Sequence, residues 1–363
     1  MGKIDHKTII LTGGGTAGHV MPNIALLPYL EIEDFIVHYV GQKNSIEQKL
    51  ISQLDGITFH NVSSGKLRRY FSFKNFSDPF KVLYGTAQSV VIISKVKPRV
   101  IFSKGGFVSL PVTLGAKIKG VPVVLHESDL TPGLANKIAM RFCNKVCVSF
   151  EETLKYIDGA KGVYTGSPIR DELLSGNMQE AKSFLGLSPQ RSELPLIVVM
   201  GGSLGSLFIN ETLRASLKTL LKSYNIVHIC GNGHIDKSLE KENGYLQYEY
   251  INKELKDIYA LADIVVSRAG ANSIFELASL CKPNLLIPLP KASSRGDQIL
   301  NAKNFEKRGF SKVLFQEDMS KDTFISNITD LHNNRQTYID NMKRANLKSG
   351  AENVMNIINA NMK

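Results

Sequence analysis

Short apolar runs separated by amphipathic stretches organise this chain. Residues 8–12 read as a strand ending in Gly-Gly-Gly, and residues 23–30 as a helix after it. Further β-rich runs follow at 35–40, 99–102, 121–125 and 145–149. Strands separated by helical stretches of this length predict a parallel sheet with helices on both faces. The same grammar restarts at 196–200, again running into glycines, with strands at 225–230, 263–267 and 284–288. Between 207 and 221, Ile209, Leu213, Leu217 and Leu220 recur at helical spacing and form one buried stripe. A helix over 272–281 places Ile274, Leu277, Ala278 and Cys281 on one face. The chain therefore reads as α/β, two doubly wound parallel-sheet domains joined where GSPIR, at 166–170, breaks the pattern with Gly and Pro. The predicted boundaries are 1–166 and 167–346. A last amphipathic helix over about 347–363, with Val354, Ile357, Ile358 and Met362, could pack back onto either half and is assigned to the first.

Composition narrows the class. With 363 residues, 43% hydrophobic and 21% charged, the chain has material for two soluble cores. An excess of 44 Lys+Arg over 33 Asp+Glu gives +11, a field that attracts polyanions. No nucleic-acid-binding motif is visible, so nucleic acid is not expected as a partner. Cys143, Cys147, Cys230 and Cys281 form no CxxC pair and read as reduced thiols. His228, Cys230 and His234 lie close together, but the strand-like run 226–230 makes packing the better explanation than metal. The apolar run 8–11 is too short for a signal peptide. No stretch of about eighteen apolar residues occurs, so any membrane contact should be peripheral. One stretch suits such a contact. From 66 to 81, Lys66, Arg68, Arg69, Lys74 and Lys81 interleave with Tyr70, Phe71, Phe73, Phe76 and Phe80, as on an anionic bilayer surface or over a buried aromatic cluster.

Four constellations could carry chemistry. Gly13 to His19, GGGTAGH, contains the spacing of a dinucleotide turn, yet the second strand ends in Gly41-Gln42-Lys43 without the ribose-binding acid. A tight strand-to-helix turn or close backbone approach to another ligand both remain open. Gly201 to Ser206, GGSLGS, opens the second half's long helix, where free N–H groups and Ser203 favour phosphate. In Arg268 to Glu276, RAGANSIFE, the carboxylate of Glu276 could accept from two ribose hydroxyls. In Ser294 to Gln298, Gln298 offers donor and acceptor to a sugar.

Taken in order, GGGTAGH, SKGGFVSLP, HESDLTPGLANK, GSPIR, MGGSLGS, SRAGANSIFE and RGDQ resemble the MurG family over nearly the whole chain. These are UDP-N-acetylglucosamine:undecaprenyl-pyrophosphoryl-MurNAc-pentapeptide N-acetylglucosaminyltransferases of peptidoglycan synthesis. The resemblance implies a GT-B fold, two Rossmann-like domains facing across a cleft. It implies a hexosyltransferase that needs no cofactor or metal, with UDP-GlcNAc, lipid I and an anionic membrane surface as partners at the cytoplasmic face of the cell membrane. A cell-wall synthesis complex is the further partner it suggests. By position, Ser203 would meet the pyrophosphate with Arg170, Glu276 would hold the ribose, and the backbone at Ile251 would read uracil. Ala271, Asn272, Ser273, Ile274 and Phe275 would line the donor, and Gln298 would contact GlcNAc. Thr16, Ala17, Gly18 and His19 would line the reaction centre, with His126, Glu127 and Asn136 on the acceptor side. Two departures stand out: Phe107 where many relatives carry Tyr, and HESD, with Asp129, in place of HEQN.

The implied reaction inverts the anomeric carbon in one displacement. It needs a base for the acceptor hydroxyl and stabilisation of the departing diphosphate. No DxD pair suits a metal bridge, since Asp297 stands alone and Asp257 and Asp263 flank a helix. The leaving charge is therefore expected on helix N–H groups and Arg170. His19 is the leading candidate for the base, since neutral imidazole is available near pH 7, and Glu127 is its rival. Another GT-B enzyme acting on a lipid acceptor is the nearest alternative function.

Overall fold

The computed structural model describes residues 7–65, 74–202 and 205–363. They form two compact units, Met1–Arg170 with Ser349–Lys363, and Asp171–Lys348. The first unit holds β1 (Lys7–Thr12), β2 (Phe35–Gly41), β3 (Ile57–Asn61), β4 (Val100–Ser103), β5 (Val123–Glu127), β6 (Lys145–Val148) and β7 (Gly162–Tyr164). They pair in the order β3-β2-β1-β4-β5-β6-β7, every pair parallel. The second unit holds β8 (Leu196–Met200), β9 (Asn225–Ile229), β10 (Tyr245–Tyr248), β11 (Ile264–Ser267), β12 (Asn284–Leu286) and β13 (Lys312–Val313). Their order is β10-β9-β8-β11-β12-β13, again all parallel. Both sheets are Rossmann-like and doubly wound, the fold class expected.

Helices cover both faces of the first sheet, so its central strands are continuous apolar runs rather than alternating ones. The pleat divides β1 between two cores. Ile9 and Leu11 pack with Leu26, Leu30, Phe102 and Val124 on one side. Ile10 packs with Ile93, Ile101, Val112 and Leu125 on the other. In the second unit, Ile197, Val199, Ile226 and Ile264 meet Ile209, Leu213, Leu217 and Leu220, the predicted stripe of the helix Leu207–Leu220.

The chain's last helix, Ala351–Ala360, belongs to the first unit's core through Val354, Met355 and Ile358. Polar contacts fix its entry. Ser349 Oγ accepts from Ile169 N at 3.2 Å, Gly350 N donates to Ser167 O at 2.8 Å, and Asn353 Nδ2 donates to Thr165 O at 3.1 Å. Among the described residues, no helix is long and apolar enough to cross a membrane.

His228 on β9 is wholly buried, with Nδ1 2.7 Å from the Tyr245 hydroxyl and Nε2 2.9 Å from Asn210 Oδ1. Both ring nitrogens thus serve packing, the reading preferred over metal. Burial, with a smaller contribution from the Arg214 charge, pushes this imidazole down to about 3. The folded chain therefore refuses a proton that the unfolded chain takes up near pH 6.5. The stabilising difference is fully present above that pH and is lost as pH falls toward the folded value. Between pH 6.5 and 5 this residue should cost the fold about 2 kcal/mol. Urea unfolding at the two pH values measures it, and His228→Asn should reduce the difference by that amount.

Candidate active site

In an open parallel sheet, ligands bind beyond the carboxyl ends of the strands where the winding direction reverses. That point lies between β1 and β4 in the first unit and between β8 and β11 in the second. All four strands run into the polar and glycine-rich turns picked out in the sequence.

In the first unit, β1 ends in the glycine turn, and Ala17–His19 form one 3-10 turn before the helix Met21–Ile32. The buried Tyr39 hydroxyl donates to Gly13 O at 2.5 Å and accepts from Asn23 Nδ2 at 3.1 Å, which ties the turn to β2. Thr16 and Gly18 are exposed, and Ala17 and His19 half-buried. His19 Nδ1 lies 3.1 Å from Thr16 Oγ1.

The ends of β4 and β5 supply the neighbouring groups. Lys104 is fully buried and its Nζ donates to Ser128 Oγ at 2.5 Å. Burial holds its pKa below the usual lysine range, against the opposing charges of Glu127 and Asp129. Glu127 accepts from Asp129 N at 3.0 Å, Gly133 N at 3.1 Å and Asn136 Nδ2 at 2.8 Å. A side chain at Gly105, whose φ is +90°, would collide with the Asn136 amide. His126 is buried with Nε2 3.1 Å from Gly166 O, and burial, then the Lys104 charge, holds it well below 6.5. It is a neutral core imidazole.

In the second unit, Ser206 caps the helix Leu207–Leu220, its Oγ accepting from Ile209 N at 3.4 Å. The preceding turn contains Gly205 at φ +77°, where a Cβ would strike Cys230 O. Ser203 lies outside the described residues. Arg268, at the end of β11, is 7% exposed. Its Nη2 donates to Ser206 Oγ at 2.7 Å and Gln316 Oε1 at 2.9 Å, and its Nη1 to Ile287 O at 3.1 Å. These acceptors are all neutral, and burial pushes the guanidinium down to about 10. This is a buried cation with no carboxylate partner among the described residues.

The helix Ala271–Ser279 starts at Gly270 beside Arg268. Asn272, Ser273 and Glu276 are half-buried, whereas Ala271, Ile274 and Phe275 are in the interior. Phe275 stacks edge-on against Phe305 at 5.2 Å. Ile274 and Phe275 therefore serve the core, and only their backbone is available to a ligand. Ile251 is buried after β10. Gln298 falls in the first turn of the helix Asp297–Lys307, not in a loop, and its Oε1 accepts from Leu289 N at 3.0 Å. Its Nε2 is left to donate. Asp297 pairs with Arg295 at 3.2 Å, Asp257 accepts from Asn177 N and Asp263 from Leu196 N. Arg170 is the last residue of the first unit, while the other expected donor residues belong to the second.

One family model falls within each unit's sheet, the second running on into the last helix. Glycosyltransferase family 28 N-terminal domain matches residues 9–148, and the family 28 C-terminal domain matches 196–357. A Clostridium tetani protein is 54% identical over 352 residues, 97% of each chain. A Geobacillus kaustophilus protein is 53% identical over 352 residues, 97% of this chain and 98% of that one. Both are named UDP-N-acetylglucosamine--N-acetylmuramyl-(pentapeptide) pyrophosphoryl-undecaprenol N-acetylglucosamine transferase. The chain belongs to the MurG branch of glycosyltransferase family 28. Its GT-B fold is shared with Acinetobacter baumannii MurG, at TM-score 0.74 and 24% identity over 98% of this chain and 99% of that one. The calicheamicin glycosyltransferase CalG4 has the fold at TM-score 0.70 with 13% identity over 99% and 98%.

At the turns that the motifs single out, the sequence reading left three buried charges without a role: Glu47, Lys104 and Arg268. Lys104 and Arg268 had a visible signal, a cation directly after an apolar strand. Glu47 had none, because it reaches the first glycine turn from a separate helix, Ile46–Ile51. The Glu127 geometry yields a prediction. Glu127→Ala strands three donors, each worth about 1–3 kcal/mol when buried and unmade. Its urea midpoint should fall sharply, whereas His19→Ala should leave the midpoint near wild type.

Proposed function

We propose that the chain is an inverting N-acetylglucosaminyltransferase. It moves GlcNAc from UDP-GlcNAc to the 4-hydroxyl of MurNAc in undecaprenyl-pyrophosphoryl-MurNAc-pentapeptide (lipid I), giving lipid II for peptidoglycan. The observation that carries this reading is 54% identity to the Clostridium tetani transferase across 97% of both chains.

The second unit holds the donor. The N–H groups that open the helix Leu207–Leu220, with Ser203 in the turn before it, take the diphosphate. Its negative charge is the partner that Arg268 lacks, in a dry setting where fixed donors need no reorganisation. Glu276 accepts from the ribose hydroxyls, the backbone at Ile251 reads the uracil, and Gln298 Nε2 donates to GlcNAc. Asn272 and Ser273 add contacts at the mouth of their helix.

The first unit holds the acceptor, with Asn136 and the turn from Thr16 to His19 beside the sugar. His19 Nε2 takes the proton of the 4-hydroxyl as that oxygen bonds to C1 and the bond from C1 to the UDP oxygen breaks. The electron pair leaves on the diphosphate. For Nε2 to accept that proton, Nδ1 must carry the ring's own, which it donates to Thr16 Oγ1. Glu127 suits the base role poorly, because three N–H groups already occupy its oxygens.

Membrane attachment follows from the acceptor's lipid and from one surface. On the helix Lys74–Val96, Phe80, Leu83, Tyr84 and Val91 fall on one face and are each more than half exposed. Ile118, on the adjoining helix Ser109–Lys119, is 67% exposed. Lys81, Lys95, Lys97, Lys117 and Lys119 flank these apolar groups. Rings at headgroup depth with lysines beside them suit an anionic leaflet at the cytoplasmic face. Residues 66–73 of the aromatic and basic stretch lie outside the described residues, as do the side chains of Lys74 and Phe76.

Transfer of radiolabelled GlcNAc to a lipid I analogue should proceed and resist competition by other UDP-sugars; transfer of a different sugar would favour another lipid-acceptor transferase. His19→Ala should lower kcat about 10²–10⁴-fold with the UDP-GlcNAc KM within about twofold. Wild-type turnover would remove His19 from the mechanism. Phe80→Ser with Tyr84→Ser should weaken cosedimentation with phosphatidylglycerol vesicles at least tenfold, roughly 1.5 kcal/mol or more per ring withdrawn. Unchanged sedimentation would rule this face out.

A further inference from the structure

Glu47 is 0% exposed, a carboxylate sealed inside the first unit. It sits in the first turn of the helix Ile46–Ile51, which follows β2 and is capped by Ser45, whose Oγ accepts from Gln48 N. Oε2 accepts from Gly15 N at 3.2 Å and Oε1 from Gln42 N at 3.1 Å. The carboxylate lies so close under the turn that a Cβ on Gly14 would be 2.5 Å from Oε1. It fills the crevice between the ends of β1 and β2, where a dinucleotide's ribose and phosphate lie in sheets that bind one. A negative charge there rejects phosphate.

Gly15 directly precedes Thr16, and both are exposed, so packing does little to fix them. The backbone turn they start closes through His19 N to Thr16 O at 3.1 Å, and Thr16 Oγ1 meets the His19 ring. Where Gly15 is held decides where Thr16 turns, and where Thr16 turns decides the direction of the imidazole. We propose that Glu47 is a positioning residue: through Gly15 it sets the turn that aims His19 at the acceptor hydroxyl. This rests on His19 being the base.

Glu47→Gln keeps the size but has one acceptor oxygen for two N–H groups, and its amide group opposes the other. A reactant displaced by about 1 Å can cost about 10²-fold in rate. Glu47→Gln should therefore lower kcat by tenfold or more, with the UDP-GlcNAc KM unchanged because the second unit holds the donor. The decisive readout is a double-mutant cycle with His19→Ala. If Glu47 acts through His19, the double variant turns over no more slowly than His19→Ala alone. Rate losses that multiply, or a Glu47→Gln kcat equal to wild type while His19→Ala is impaired, would overturn the proposal and leave the His19 reading standing. Wild-type turnover by His19→Ala would instead fail the His19 reading and this proposal with it. Should Glu47→Gln not fold, Glu47→Asp, which keeps the charge but shortens the reach, enters the same cycle with the same two outcomes.

Discussion

Every strand in both sheets runs the same way, and this parallelism is the constraint on which the rest depends. It brings all carboxyl ends to one edge of each sheet, and the reversal of winding opens that edge between two neighbouring strands. Backbone N–H groups at the ends of β1, β4, β8 and β11 are therefore gathered at two places, one in each unit. Glycine is needed there because the chain must turn sharply while a neighbouring backbone stands close, as Cys230 O does beside Gly205. The chemistry was placed by the sheets before any side chain was chosen.

The two glycine turns look alike on paper, GGGTAG and GGSLGS, yet they have opposite electrostatics. One residue outside the glycines makes the difference in each. A carboxylate from the helix after β2 reaches under the first turn. A guanidinium from the end of β11 reaches the cap of the helix after the second. A carboxylate under the first turn disfavours phosphate there, and a guanidinium beside the second favours it. Charge placement by tertiary contact, rather than the glycine spacing, sets the field at each turn.

The same reasoning explains what was legible in the sequence. Central strands such as Val100–Ser103 and Leu196–Met200 are covered on both faces and so read as short apolar blocks. The edge strands Ile57–Asn61, Gly162–Tyr164, Tyr245–Tyr248 and Lys312–Val313 carry polar or glycine positions and half-buried side chains, and no periodic signal marks them. The glycine turns and the helices after them were visible because local backbone chemistry dictates them. Glu47 was not, because a buried acid and a surface acid are the same letter until the helix carrying it is docked. Ile274 and Phe275 show the converse: bulky members of a glycine-rich motif serve the core.

The last helix has a consequence for how the protein comes into being. Ala351, Val354, Met355 and Ile358 complete a core whose other buried members lie between Ile9 and Cys147. During synthesis the part of this core that the last helix covers therefore stays open until the whole second unit and residues 351–360 have left the ribosome. The N-terminal unit is begun first and finished last, and chaperone binding to that part would fall in the interval between.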